Sequence, residues 1–245
     1  MKVKVNIYKG TPDSKGKYVT YNMDVPPTDM VLDILEKIYH EYDPSLSYRY
    51  ACGIARCGEC AMLINDVPCL ACERQIEPEM TIRPLDLPLI KDTVINRRQV
   101  FDHIKEILPE PGDIDDIYDS FEEMDEDTSH RKIENSIRLT TCFECMICQS
   151  MCPRYRSDDQ GFPGPLGLLF LTQMNENPAQ RPLSEKDLDM LAASCVGCGK
   201  CARFCPAEKK PLHLALELLK HHPAKAVTAH MVDGKTTVQE VDESV

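Results

Sequence analysis

The sequence predicts an α+β chain in which a strand-rich N-terminal domain is followed by an all-helical one. Three observations carry this. Residues 3–9 and 18–25 alternate polar and apolar side chains, the two-residue period of a half-buried strand. The second half shows helical spacing instead, as in Leu212, Leu216 and Leu219 behind Pro211. The 13 cysteines also divide, one group ending at Cys72 and the next starting at Cys142. That gap suits two domains on a chain of 245 residues.

Taken in order, Val3, Val5 and Ile7 share one strand face, and Val19, Tyr21, Met23 and Val25 another; the turn-like stretch Thr11–Gly16 joins them. Val31, Leu32, Leu35, Ile38 and Tyr39 then take helical spacing. A cysteine loop follows, then a short strand at Met62–Ile64, a turn at Asn65-Asp66, and Cys72. A helix is expected over 92–108, with Val94, Phe101, Ile104 and Leu108 as its stripe and Pro109, Pro111 and Gly112 ending it. Nine acidic residues between Asp113 and Asp127 read as a solvated linker face. Further on, Ser184-x-x-Asp187 resembles a capping box before Leu188 and Leu191. The expected divisions are 1–91, a helix and acidic linker over 92–130, a helical domain over 131–222, and a polar tail over 223–245.

Twelve cysteines form three sets. Cys52-x4-Cys57-x2-Cys60 with Cys72 matches the plant-type [2Fe–2S] spacing. Cys142-x2-Cys145-x2-Cys148-x3-Cys152-Pro153 and Cys195-x2-Cys198-x2-Cys201-x3-Cys205-Pro206 each match the bacterial ferredoxin run. In such runs the first three cysteines wrap one cube and the fourth ligates the other. One [4Fe–4S] cluster is therefore expected on Cys142, Cys145, Cys148 and Cys205, and a second on Cys152, Cys195, Cys198 and Cys201. Gly53 and Gly58 are expected to let backbone N–H groups approach sulfur in the first loop. Cys69 is left over and reads as a small buried hydrophobe; it is the alternative to Cys72 as fourth ligand.

The remaining chemistry is excluded more than found. Disulfides need an oxidising compartment, and the first ten residues, MKVKVNIYKG, lack the apolar core of an export signal. Zinc gives no reason for the third and fourth spacings of either run. A net charge of −12 disfavours nucleic acid. No apolar run approaches the roughly 20 residues that span a bilayer. The seven histidines are scattered outside the cysteine runs. Gly161, Gly164 and Gly167 are spaced as a turn into a helix, not as a dinucleotide loop. With no catalytic residue in view, the pattern points to a relay for single electrons.

Strand, strand, helix, cysteine loop and strand resemble the β-grasp fold of plant-type ferredoxins, and the paired runs resemble the helical ferredoxin fold. In that order the two resemble the iron–sulfur (B) subunit of succinate dehydrogenase and fumarate reductase. Asp43-Pro44-Ser45-Leu46-Ser47-Tyr48-Arg49, Leu70-Ala71-Cys72, Pro88-Leu89-Ile90-Lys91-Asp92 and Gly164-Pro165-Leu166-Gly167 extend the likeness over about residues 1–220. Three departures stand out. Cys198 fills a position that is usually not cysteine in the family, where the site then holds [3Fe–4S]. Val196 replaces the quinone-site histidine. Arg154-Tyr155-Arg156 stands where a quinone-site tryptophan is usual, and the chain has no tryptophan. These departures resemble the atypical branch of thiol:fumarate reductases and E-type succinate dehydrogenases.

The resemblance implies an oxidoreductase subunit that passes electrons between a partner flavoprotein carrying FAD and a quinone- or thiol-active partner. That second partner is a CCG-domain subunit or a membrane anchor. It implies a cytoplasmic chain, peripheral to the inner face of the membrane only through partner subunits. The alternative is a relay for a heterodisulfide reductase, hydrogenase or formate dehydrogenase; a metal-stapled module with no redox role is a third reading.

Overall fold

The computed structural model describes residues 1–107, 125–156, 161–177, 183, 184, 187, 193, 195–220, 229–232 and 235–238. Five strands make one mixed sheet: β1 (Lys2–Lys9), β2 (Lys17–Asp24), β3 (Ala61–Ile64), β4 (Val67–Leu70) and β5 (Glu79–Arg83). Their spatial order is β2-β1-β5-β3-β4. β1 runs antiparallel to β2, with Val3 opposite Met23 and Val5 opposite Tyr21, and parallel to β5. Side chains alternate across a pleated strand, so Val3, Val5, Ile7, Tyr21 and Met23 enter the core together. Helix α1 (Val31–Lys37) contributes Val31, Ile34 and Leu35 to the same core, and a π-helical turn at Ile38–Tyr42 leads toward the first cysteine loop. This is the β-grasp arrangement the sequence suggested.

The helix expected over 92–108 begins later. Leu89–Lys91 (β6) and Val94–Ile95 (β7) pair antiparallel, and helix α2 spans Arg97–Ile107. Asp92 makes the difference. It takes a left-handed φ of 52°, and its buried carboxylate accepts from the N–H groups of Gly10 (3.0 Å) and Ser47 (2.9 Å). A turn fixed by partners so distant in sequence leaves no trace in local spacing. Leu108, Pro109, Pro111 and Gly112 lie outside the described residues.

Most of the acidic stretch, through Met124, also lies outside them. Its end belongs to a helix. Asp125 caps α3 (Glu126–Leu139) by accepting from the N–H of Thr128 (2.9 Å), and Glu126 and Asp127 occupy the first turn, where the helix dipole favours negative charge. Helices α4 (Ile147–Met151), α5 (Pro153–Arg156), α6 (Gly164–Glu176), α7 (Lys200–Arg203) and α8 (Pro211–Lys220) complete the described helical part. α6 packs against α3 and α8 and is buried along most of its length, with Leu166, Leu168, Leu169 and Leu171 all in the core. Gly164 opens it at φ 77°. Fully buried Gln149 braces this start, donating to the carbonyl of Pro163 (3.1 Å) and accepting from the N–H of Leu166 (3.0 Å).

The N–H of Asp187 donates to Ser184 Oγ (3.2 Å), the capping bond read from sequence; Leu188 and Leu191 lie outside the described residues. Within residues 223–245, Ala229–Val232 and Lys235–Val238 pair antiparallel. Among the described residues no helix is long and apolar enough to cross a membrane.

Candidate iron–sulfur sites

The first cysteine loop runs from the π-helical turn into β3. Gly53, Ala55 and Gly58 all take left-handed φ values of 67°, 55° and 70°, which coils the loop tightly. The N–H groups of Ile54 (3.4 Å), Arg56 (3.3 Å) and Cys57 (3.3 Å) point at Cys52 Sγ, and that of Ala55 points at Cys72 Sγ (3.3 Å). Cys60 leads directly into β3, and its sulfur lies 3.4 Å from that of Cys72. N–H dipoles aimed at sulfur favour negative charge there. Those of Ile54 and Arg56 bring the Cys52 thiol down to about 7. Burial pushes Cys60 up to about 12. Cys69, on β4, faces differently: its sulfur approaches the carbonyl of Val67 (3.5 Å), and burial raises its thiol to about 11.

The two ferredoxin-type runs enclose two cavities. One is lined by Cys142, Cys145, Cys148 and Cys205. The other is lined by Cys152, Cys195, Cys198 and Cys201. The fourth cysteine of each run crosses to the other run's cavity. The two Cys-Pro turns act locally: Pro153 and Pro206 follow the crossing cysteines and fix the backbone as it leaves. The sulfurs surround a space and do not converge on a point; among the described residues no three His, Cys, Asp or Glu side chains are placed to hold a single ion. Four thiols around a cavity suit an iron–sulfur cluster, whose ligands are thiolates. Burial raises Cys142 to about 11, Cys145 and Cys201 to about 12, and Cys148 well upward. Free of metal these thiols hold their protons, and a bound metal displaces them.

The surroundings of the two cavities differ. Met146 and Ile147 of the first run belong to the N-terminal core, and Cys142, Cys145 and Cys148 pack against it. The Val196–Lys200 stretch of the second run is exposed, Cys198 included. Val196 and Arg154 both line the second cavity. The Arg154 guanidinium lies 5.0 Å from the Phe162 ring centre. Tyr155 meets His103 edge-on at 5.7 Å, and Arg156 pairs with Asp86 at 3.2 Å. No histidine lines either cysteine cavity among the described residues.

Three residues near the sites escaped the sequence reading. Arg97 pairs with Glu59 of the first loop and donates to the carbonyl of Glu144 in the second run of cysteines along the chain (2.9 Å). Glu144 and Met146 hold left-handed φ values of 52° and 68° without being glycine. Gly58 also plays a second part, beyond the one expected. The N–H groups that reach sulfur belong to its neighbours in the loop, while its bare α-carbon faces Cys145.

Residues 2–102 match a 2Fe-2S iron-sulfur cluster binding domain, and residues 138–208 a 4Fe-4S dicluster domain. The chain is 28% identical over 222 residues to a subunit of the fumarate reductase (CoM/CoB) of Methanothermobacter marburgensis, covering 89% of this chain and 43% of that protein. It thus spans less than half the length of that relative. It is 28% identical to mitochondrial succinate dehydrogenase [ubiquinone] iron-sulfur subunit 3 of Arabidopsis thaliana, over 91% of this chain and 75% of the relative. To the fumarate reductase iron-sulfur subunit of Escherichia coli O6:H1 it is 25% identical, over 86% and 88%. The fold matches a chain of the Mycobacterium smegmatis Sdh1 complex in the apo form with a TM-score of 0.71 at 22% identity, over 89% of this chain and 94% of that one.

Proposed function

We propose that this member of the family of iron–sulfur subunits of succinate dehydrogenases and fumarate reductases relays single electrons between a flavoprotein that interconverts succinate and fumarate and a quinone- or thiol-active partner. The chain holds one [2Fe–2S] cluster on Cys52, Cys57, Cys60 and Cys72. It holds one [4Fe–4S] cluster on Cys142, Cys145, Cys148 and Cys205, and a second on Cys152, Cys195, Cys198 and Cys201. The clusters supply one-electron carriers when bound; the protein supplies thiols, N–H dipoles and low-dielectric surroundings, which set the potentials. No substrate chemistry takes place on this chain.

The observation that carries this reading is the crossed lining of the two cavities, three cysteines of one run with the last of the other. It gives two four-thiol sites from eight cysteines and supports Cys198 as the ligand that completes the last cube. Cys72 is favoured over Cys69 because its sulfur meets Cys60 and accepts from Ala55. Val196 and Arg154 at the second cavity, with no tryptophan in the chain, favour an exit to a CCG-type partner over an ordinary quinone pocket. The chain is cytoplasmic and reaches a membrane only through such partners.

The test is reconstitution with the flavoprotein partner under anaerobic conditions. Succinate should bleach the visible iron–sulfur absorption, and fumarate should restore it. Clusters that respond to dithionite but to neither dicarboxylate point instead to another oxidoreductase.

A further inference from the structure

The first cysteine loop and the first ferredoxin-type run touch. Gly58, buried between Cys57 and Cys60, lies against the Phe143–Cys145 stretch of that run. A Cβ placed on Gly58 would stand 2.7 Å from the Cβ of Cys145, 2.7 Å from the carbonyl oxygen of Phe143 and 3.0 Å from the Cα of Cys145. No side chain fits there, and the φ of 70° is itself left-handed. Next to this contact Arg97 reaches both loops. It pairs with Glu59, the neighbour of Cys60, and donates to the main-chain carbonyl of Glu144, the neighbour of Cys145 (2.9 Å). Its side chain is only 16% exposed, and the Phe101 ring lies 6.0 Å from its guanidinium carbon.

We infer that Gly58 and Arg97 form the electron junction between the [2Fe–2S] site and the Cys142 site. This inference rests on the cluster assignment proposed above. Gly58 is a positioning residue: its missing side chain brings a backbone covalently bonded to Cys57 against a ligand of the next site. Arg97 fixes the register of the two loops and places one positive charge beside both sites. Electron transfer falls off steeply with distance, so a contact that sets the spacing of two ligand loops sets the rate between them. One electron lost at one site is gained at the other; no bond forms or breaks, and no proton moves. Iron–sulfur sites with four thiolates carry net negative charge, which grows on reduction, so a nearby half-buried cation favours the reduced form.

The test uses the full chain, reconstituted anaerobically, as wild type, Gly58→Ala and Arg97→Gln. Iron and acid-labile sulfide report cluster content, and EPR reports the rest. Arg97→Gln should keep both reduced signals and shift the oxidised-to-reduced balance at both sites about tenfold toward oxidised, about 59 mV lower for a one-electron couple. Gly58→Ala should keep both signals while the reduced [2Fe–2S] signal saturates at lower microwave power, because its paramagnetic neighbour has moved away. Where Gly58→Ala fails to fold, Arg97→Gln decides, with Arg97→Lys as its companion: lysine restores the charge and hence the potentials, but cannot make both contacts. Intact signals with unchanged saturation and unchanged potentials overturn the junction alone. A wild-type chain that takes up no cluster overturns the assignment beneath it as well.

Discussion

The two ferredoxin-type runs have one spacing and one backbone path but opposite surroundings. Glu144 and Gly197 occupy matching places just after the first cysteine of each run, at φ 52° and 66°; Met146 and Gly199 match at 68° and 70°. In both runs the N–H of the earlier residue, Glu144 or Gly197, donates to the first cysteine's sulfur at 3.4 Å. In the first run a methionine only 1% exposed holds the later left-handed position. In the second a glycine holds it, and a Cβ there would meet nothing. Equal cysteine spacing thus goes with equal backbone geometry, and the cost of that geometry is met differently. The first run offsets left-handed strain, about 1–2 kcal/mol per residue, with burial against the N-terminal core. The second avoids the strain with glycine and stays exposed.

The largest effect expected from this difference comes from removing ligands. Cys148→Ser removes a partly buried thiol that packs against the N-terminal core. It should lower stability by roughly 3–5 kcal/mol, the scale of losing a covalent staple. The loss should show as one cooperative melt at lower temperature. Cys198→Ser, at an exposed position, should leave the N-terminal melt within about 0.5 kcal/mol of wild type. Equal destabilisation by the two would break the contrast.

Next come the left-handed positions. Met146→Gly relieves strain but empties a packed site, and should cost about 2–4 kcal/mol net in denaturant unfolding. Gly199→Ala meets open space and should cost only about 1 kcal/mol, the left-handed penalty alone. A stabilising Met146→Gly would mean that burial does not support the first run.

What could be read from the sequence follows physical lines. Cysteine spacing and strand alternation are local, so the three cysteine sets and strands β1, β2 and β3 were directly legible, while the short strands β4 and β5 were not. The start of α2 was not, because Asp92 turns the chain through hydrogen bonds to Gly10 and Ser47. The contact of Gly58 with Cys145 joins residues far apart in sequence, and nothing in either loop announces it. Met146 shows the same limit: a methionine in a left-handed turn looks like any apolar residue until its burial is known. Asp125–Asp127 read as the end of an acidic linker because a capping role depends on a helix that starts after them.

Acid gives a smaller effect that sharpens the contrast from the N-terminal side. Hydrogen bonds from Lys9 and Ser45 hold the Asp43 carboxyl well below the usual carboxylate range. A depressed folded pKa means that its contribution is complete above the unfolded value, about pH 4, and is lost as pH falls below that toward the folded value. Asp43→Asn should cost about 1–3 kcal/mol at pH 7, and the difference from wild type should shrink as the pH of thermal melts is lowered toward about 2. A constant difference would show that Asp43 acts by shape and not by charge. The smallest effect is expected at the exposed loop itself, where Val196→Ala should change stability by no more than about 0.5 kcal/mol.

Crossed four-thiol sites, with Cys198 as a ligand of the second, are the central claim. EPR of the anaerobically prepared chain, wild type beside Cys198→Ser, addresses it directly. The oxidised wild type should show no [3Fe–4S] signal, while Cys198→Ser should show one and keep the reduced signal of the Cys142 site. A strong [3Fe–4S] signal in the native chain, or loss of the Cys142 site in Cys198→Ser, would contradict it.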